Sequence, residues 1–108
     1  MESDLKEVGI VEARKLAKKG GAKFVWLGSP VKISLSTALG ISPDQLLEFE
    51  PSEIIAMPDE KIKHLNNDIF VCYHGITSAA LVKYLKSKKN VHGYSLKGGI
   101  TAIVGENY

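Results

Sequence analysis

Short apolar runs alternate along the chain with segments of helical period, and the first expectations come from that alternation. Asp4 to Lys19 reads as a helix, with Ser3 or Asp4 as its N-cap and Leu5, Val8, Val11 and Leu16 as its apolar positions. Gly9 stands inside that helix and Gly20-Gly21 would close it. Ala22 to Leu27 has the character of a buried strand and is stopped by Gly28-Ser29-Pro30. Val31, Ile33 and Leu35 alternate with polar residues, as in a short strand with one solvated face. Ser42-Pro43-Asp44 supplies the cap, proline and early acid of a helix start, and Leu46, Leu47 and Phe49 would ride on that helix until Pro51 ends it. Glu53 to Met57 reads as a further buried strand, and Pro58-Asp59 opens a short helix carrying Ile62 and Leu65.

The second half is patterned more sharply. Asn66-Asn67-Asp68 introduces Ile69–Tyr73, a β-branched and aromatic run typical of a strand leaving a turn. From Thr77 to Lys88 the period is helical, with Ala80, Leu81, Tyr84 and Leu85 on one face and lysines opposite. A strand from Val91 to Leu96 follows, then Gly98-Gly99 and a last short helix. Strands alternating with helices imply an α/β fold, a three-layer sandwich whose mostly parallel central sheet is flanked by helices. In such sheets ligands gather beyond the carboxyl ends of the strands, which is where Cys72 falls.

Composition narrows the class. A chain of 108 residues, 44% hydrophobic and 24% charged, is expected to form one globular domain over residues 1–108. Fourteen basic against twelve acidic residues leave a balance too even for nucleic acid or a membrane surface to be the main partner. One cysteine excludes an internal disulfide or a Cys-rich zinc site, and it suits a reducing compartment. No apolar run approaches the ~20 residues of a membrane span, and Met1-Glu-Ser-Asp is no signal peptide, so the cytoplasm is the expected location. His64 and His92 lack partners at ligand spacing, and no metal or cofactor is expected. Lys83, Lys86, Lys88 and Lys89 read as a solvated helix face that an acidic protein or an RNA backbone would also suit. Trp26 reads as core.

The chemistry centres on the loop Cys72 to Thr77. A loop running from a strand into a helix start turns several N–H groups into one concavity, and the helix dipole adds positive character. Such sites lower a cysteine pKa from about 8.5 into the range of roughly 3.5–7.5, so Cys72 is expected to be a thiolate, nucleophilic without a histidine base. A buried structural cysteine at a strand end is the competing reading. The residues alone leave both open.

Cys72-Tyr-His-Gly-Ile-Thr-Ser-Ala resembles the active-site loop of the rhodanese (sulfurtransferase) family, Cys-x-x-Gly-x-[Thr/Arg]-[Ser/Ala]-Ala. Its Gly-Ile-Thr-Ser-Ala part is similar to the thiosulfate and mercaptopyruvate sulfurtransferase form. Downstream, Val91-His-Gly-Tyr-Ser-Leu96-Lys-Gly98-Gly99-Ile100 resembles the family's Val-x-x-Leu-x-Gly-Gly-hydrophobic segment, which turns into a short helix packed beside the active loop. The resemblance covers Ile54 to Ile103. It implies sulfane sulfur transfer, with Cys72 as nucleophile and persulfide carrier and Tyr73, His74, Gly75, Ile76, Thr77 and Ser78 as the substrate-binding loop. It implies a small sulfur-donor anion and a thiol or protein acceptor. The family's Asp-x-Arg after the first core strand and its Gly-His-Ile segment, which brace the active loop, are absent here. The first site reads Trp26-Leu27-Gly28-Ser29. Tyr73-His74 also stand where thiosulfate-type members place basic residues. Two other classes stay in view: a rhodanese-like binding or regulatory module, and a cysteine phosphatase or arsenate reductase. The second needs an arginine at the end of the loop, where this chain has Thr77-Ser78 and its one arginine is Arg14.

Overall fold

In the computed structural model, which describes residues 6–28 and 34–104, five short strands build one sheet. They are β1 (Glu7–Val8), β2 (Phe24–Trp26), β3 (Leu46–Glu48), β4 (Ile69–Val71) and β5 (Tyr94–Leu96). Their spatial order is β1-β5-β4-β2-β3, and every pairing is parallel. Of the three inner strands, β2 and β4 are apolar at every position and fully buried, as suits strands covered on both faces, while β5 carries the buried Ser95.

Strand alternation sorts the core into two layers. Phe24, Trp26, Ile69 and Val71 face one side and pack with Ala13 and Ala17 of α1 (Ile10–Gly20), Leu35 and Leu39 of α2 (Leu35–Leu39), and Ile100 at the start of α6 (Thr101–Val104). Val25, Leu27, Phe70 and Cys72 face the other. There they meet Ile54 of α3 (Pro51–Ile55), Ile62 of α4 (Asp59–Ile62), and Leu81 and Val82 of α5 (Ile76–Tyr84). A wider helical turn, Leu85–Lys89, prolongs α5 and ends at Asn90 in the left-handed region, φ 55°. The three-layer arrangement matches the sequence expectation, and the sheet is parallel throughout.

The first half departs from its pattern in several places. Residues 7–8 form edge strand β1, and α1 starts only at Ile10 with Gly9 as its N-cap. The expected caps Ser3 and Asp4, and Leu5, lie outside the described residues, as do Val31 and Ile33. Leu35, expected in a strand, opens α2, whose Ser34 side chain accepts the Thr37 amide at 3.4 Å. Ser42-Pro43-Asp44 starts only a single tight turn, Pro43–Gln45. Leu46 and Leu47 then pair with Phe24 and Val25 as strand β3 instead of continuing a helix. Glu53–Ile55 is helical. Pro51, read as a stop, sits in the first turn of α3, and Glu50 and Glu53 form a reciprocal capping box there, with Glu50 N donating to Glu53 Oε1 at 2.9 Å.

Candidate active site

Cys72 is the first residue past β4. Strand alternation turns its side chain to the α5 side of the sheet, where it is 4% exposed. The next turn is made by Gly75, whose φ of 87° lies in the left-handed region. A Cβ on Gly75 would stand 3.0 Å from the Gly98 amide nitrogen. This turn folds the chain back so that α5 begins directly against the cysteine. The Gly75 amide donates to Cys72 Sγ at 3.1 Å and the Ser78 amide at 3.3 Å. Gly75 is the N-cap residue of α5 and Ser78 its third helical position, so the sulfur occupies the place of a capping side chain. Two amides from the positive end of the α5 dipole therefore converge on one sulfur atom, an arrangement that favours negative charge there.

The Ser78 hydroxyl lies 3.4 Å from Cys72 Sγ and 2.7 Å from the Ser95 hydroxyl, and both serines are wholly buried. Behind the loop, Ile100 N donates to Cys72 O at 2.9 Å and Thr101 N to Tyr73 O at 3.1 Å. Gly99 (φ 65°) makes this approach possible, since a Cβ there would sit 2.5 Å from both carbonyl oxygens. The Gly98-Gly99 turn into α6 thus clamps the cysteine loop, as the resemblance implied.

In front of the sulfur lies a pocket of about 290 Å³ lined by Leu27, Cys72, Tyr73, His74, Ile76 and Thr77. Tyr73 meets the buried Trp26 edge to face, with centroids 5.0 Å apart. Ile76 is 76% exposed, so an apolar side chain stands in solvent at the rim. His74 is exposed, with Nδ1 3.3 Å from Thr101 Oγ1. That hydroxyl donates to Gly98 O at 3.0 Å. A second groove shares Leu27 and Tyr73 with this pocket and is lined further by Gly28, Glu50, Pro51 and Ser52. No lysine or arginine among the described residues lines either one.

All seven residues expected from the loop belong to this region: Cys72, Tyr73, His74, Ile76 and Thr77 line the pocket, while Gly75 and Ser78 bind the sulfur from behind. The loop is shorter than expected, because Ile76 and Thr77 already belong to α5. Sequence reasoning missed Leu27, Thr101 and Ser95, which are distant in the chain and carry no local signal. Trp26 is core. His64 lines a separate cleft of about 580 Å³ with Leu47, Phe49, Met57 and Leu65, and His92 Nε2 pairs with Asn90 Oδ1 at 3.2 Å. Lys89 of the expected lysine face makes a surface ion pair with Asp59 at 3.5 Å. Arg14 lies in the opposite layer, its Nε donating to Leu39 O at 2.7 Å and its Nη2 to Ala38 O at 3.3 Å. No helix among the described residues is long and apolar enough to cross a membrane.

No protein-family model matches the sequence, and no curated protein matches it. Solved structures do match. A rhodanese-related protein from Thermoplasma volcanium superposes with a TM-score of 0.66 at 17% identity, over 95% of this chain and 94% of its own. A rhodanese-like domain protein from Staphylococcus aureus gives 0.60 at 22% identity, over 95% and 94%. A human single-domain sulfurtransferase gives 0.57 at 16% identity, over 91% and 92%. On the likeness of these backbones, and on its parallel five-stranded sheet between two helical layers, the chain has the rhodanese-like α/β fold.

Proposed function

We propose that the protein is a sulfurtransferase that carries sulfane sulfur as a persulfide on Cys72. The observation that carries this reading is the convergence of the Gly75 and Ser78 amides on a sulfur that also lines an open pocket. A structural cysteine needs neither. The Cys72 thiolate attacks the outer sulfur of a donor; the donor's S–S bond breaks and its electron pair leaves with the inner group. Cys72 then holds a persulfide, whose terminal charge faces the amide-rich end of α5. An acceptor nucleophile attacks that terminal sulfur, the Sγ–S bond breaks, and the electron pair returns to Sγ. No second cysteine exists to resolve the persulfide within the chain, so the sulfur leaves to an outside thiol, a protein acceptor or cyanide.

The pocket also bears on the donor. Leu27 and Ile76 are apolar, Tyr73, His74 and Thr77 bring uncharged polar atoms or an imidazole but no lysine or arginine, and Glu50 stands in the adjoining groove. That setting suits a donor of low charge, such as a small-molecule thiol persulfide, better than dianionic thiosulfate, for which an arginine or lysine clamp would be expected. The placement of Arg14 in the opposite layer likewise argues against phosphate or arsenate chemistry. Reducing conditions keep a catalytic thiol free, and we place the reaction in the cytoplasm.

Steady-state transfer from cysteine persulfide to cyanide is the test. Parallel double-reciprocal lines, the ping-pong pattern, are expected, with all turnover lost in Cys72→Ser. Absence of turnover with every sulfane donor would leave a rhodanese-like binding or regulatory module, a reading that the 4% exposure of Cys72 favours.

A further inference from the structure

The amides that hold Cys72 account for two of its polar contacts, and the third comes from a hydroxyl whose direction is set elsewhere. Ser95 lies on β5, opposite Phe70 in the sheet register, and so faces the same layer as Phe70 and Cys72. Its hydroxyl is fully buried and pairs with Ser78 Oγ at 2.7 Å, its sole side-chain hydrogen-bond partner among the described residues. A buried hydroxyl hydrogen without an acceptor is disfavoured. The Ser95 hydrogen therefore goes to Ser78 Oγ. With that lone pair taken, the Ser78 hydrogen must point away from Ser95; a Cys72 thiol donates to Ser78 Oγ at 3.4 Å, whereas a thiolate can only accept there.

We propose that Ser95 is a positioning residue, which turns the Ser78 hydroxyl hydrogen onto the Cys72 sulfur. Cys72 Sγ donates to Ser78 Oγ as a thiol, which leaves the Ser78 hydrogen without an acceptor; once that proton is lost, the thiolate accepts from three donors: the Gly75 amide, the Ser78 amide and the Ser78 hydroxyl. Hydroxyls in series also polarise one another, so the Ser78 donor is stronger with Ser95 behind it. Without Ser95, the Ser78 hydroxyl is free to rotate toward a backbone carbonyl one turn back in its own helix, a common alternative for serine. The inference rests on the sulfurtransferase reading in that it concerns the same nucleophile. It does not depend on the identity of the donor.

The test is the pH profile of Cys72 alkylation by iodoacetamide, measured without any sulfur donor. Ser95→Ala is expected to move the midpoint upward, as one member of a cooperative chain is lost. Ser78→Ala moves it further. Adding Ser95→Ala to Ser78→Ala moves it no more, because the influence of Ser95 passes through Ser78. The shape-matched pair Ser95→Thr and Ser95→Val repeats the comparison with and without the hydroxyl, and separates hydrogen bonding from packing. Thr keeps the wild-type midpoint and Val follows Ala. An unmoved midpoint in folded Ser95→Ala, or an equal shift with and without Ser78, would overturn the proposal. Sulfur loading in a separate assay tells the two readings apart. A protein that loads sulfur yet shows no Ser95 effect refutes only the positioning role. A protein whose midpoint moves but which never loads sulfur refutes only the transferase.

Discussion

Replacing Gly99 by alanine probes whether the cysteine loop is held by the turn behind it. At φ 65° the backbone lies in the left-handed region, where a side chain costs about 1 kcal/mol or more. The added Cβ would stand 2.5 Å from the carbonyl oxygens of both Cys72 and Tyr73, and these belong to the backbone, so no side chain can swing aside. Relief requires the loop and the start of α6 to part. That movement stretches the Ile100 N–Cys72 O and Thr101 N–Tyr73 O bonds, now 2.9 and 3.1 Å. Overpacking of this kind costs about 1–3 kcal/mol. Together the two effects come to roughly 2–4 kcal/mol, or on the order of 10–20 °C in Tm for a domain of this size. Sulfur transfer should fall further than stability, since a displacement of about 1 Å at a reacting group can cost roughly a hundredfold in rate. Thermal melts by circular dichroism, with transfer kinetics well below the melt, provide the readouts. Gly20→Ala is the control: a Cβ there meets nothing within 4 Å, and its effect should be neutral or slightly stabilising. A Gly99→Ala protein that melts and turns over like the wild type would refute the clamp.

Three further outcomes follow from particular residues. Burial holds the Asp68 carboxyl above its ordinary value of 3.8, against the opposing pull of the Lys23 amide bond and charge, and Oδ2 has no partner among the described residues. The folded state thus binds this proton more tightly than the unfolded chain, so the stability tied to it is fully present below pH 3.8 and is lost as pH rises through the folded value. Asp68→Asn should remove that decline in urea unfolding and stabilise the protein at neutral pH; a decline that persists unchanged would contradict the assignment. Glu50→Gln keeps an acceptor for the α3 cap while removing a charge beside the pocket, and should raise kcat/KM for thiosulfate by about twofold at low salt, with the gain shrinking as salt is added; an equal gain with a neutral donor would count against charge as the cause. Arg14→Met removes both bonds to the carboxyl end of α2 and should cost about 1.5–3 kcal/mol in chemical denaturation, with sulfur transfer per folded molecule unchanged.

The second half of the chain was legible because its signals are local. Ile69–Val71 is apolar without interruption, as a strand covered on both faces must be, and Gly75 marks the turn at which the period changes. The first half was misread where one residue type serves two purposes. Pro51 ends a helical run as readily as it starts one, and only the reciprocal Glu50–Glu53 cap decides for a start. Leu46 and Leu47 suit helix or strand, and pairing with β2 settled the matter. Ser95 reaches the site through the sheet order, which no window of sequence contains, whereas the Gly98-Gly99 turn was legible through its likeness to a known segment.

Intact mass of the protein after incubation with a persulfide donor bears most directly on Cys72 as a sulfur carrier. One added sulfur atom per chain is expected, released by cyanide as thiocyanate and absent from Cys72→Ser. A folded wild-type protein whose mass stays unchanged with every sulfane donor, or an adduct that survives in Cys72→Ser, would contradict it.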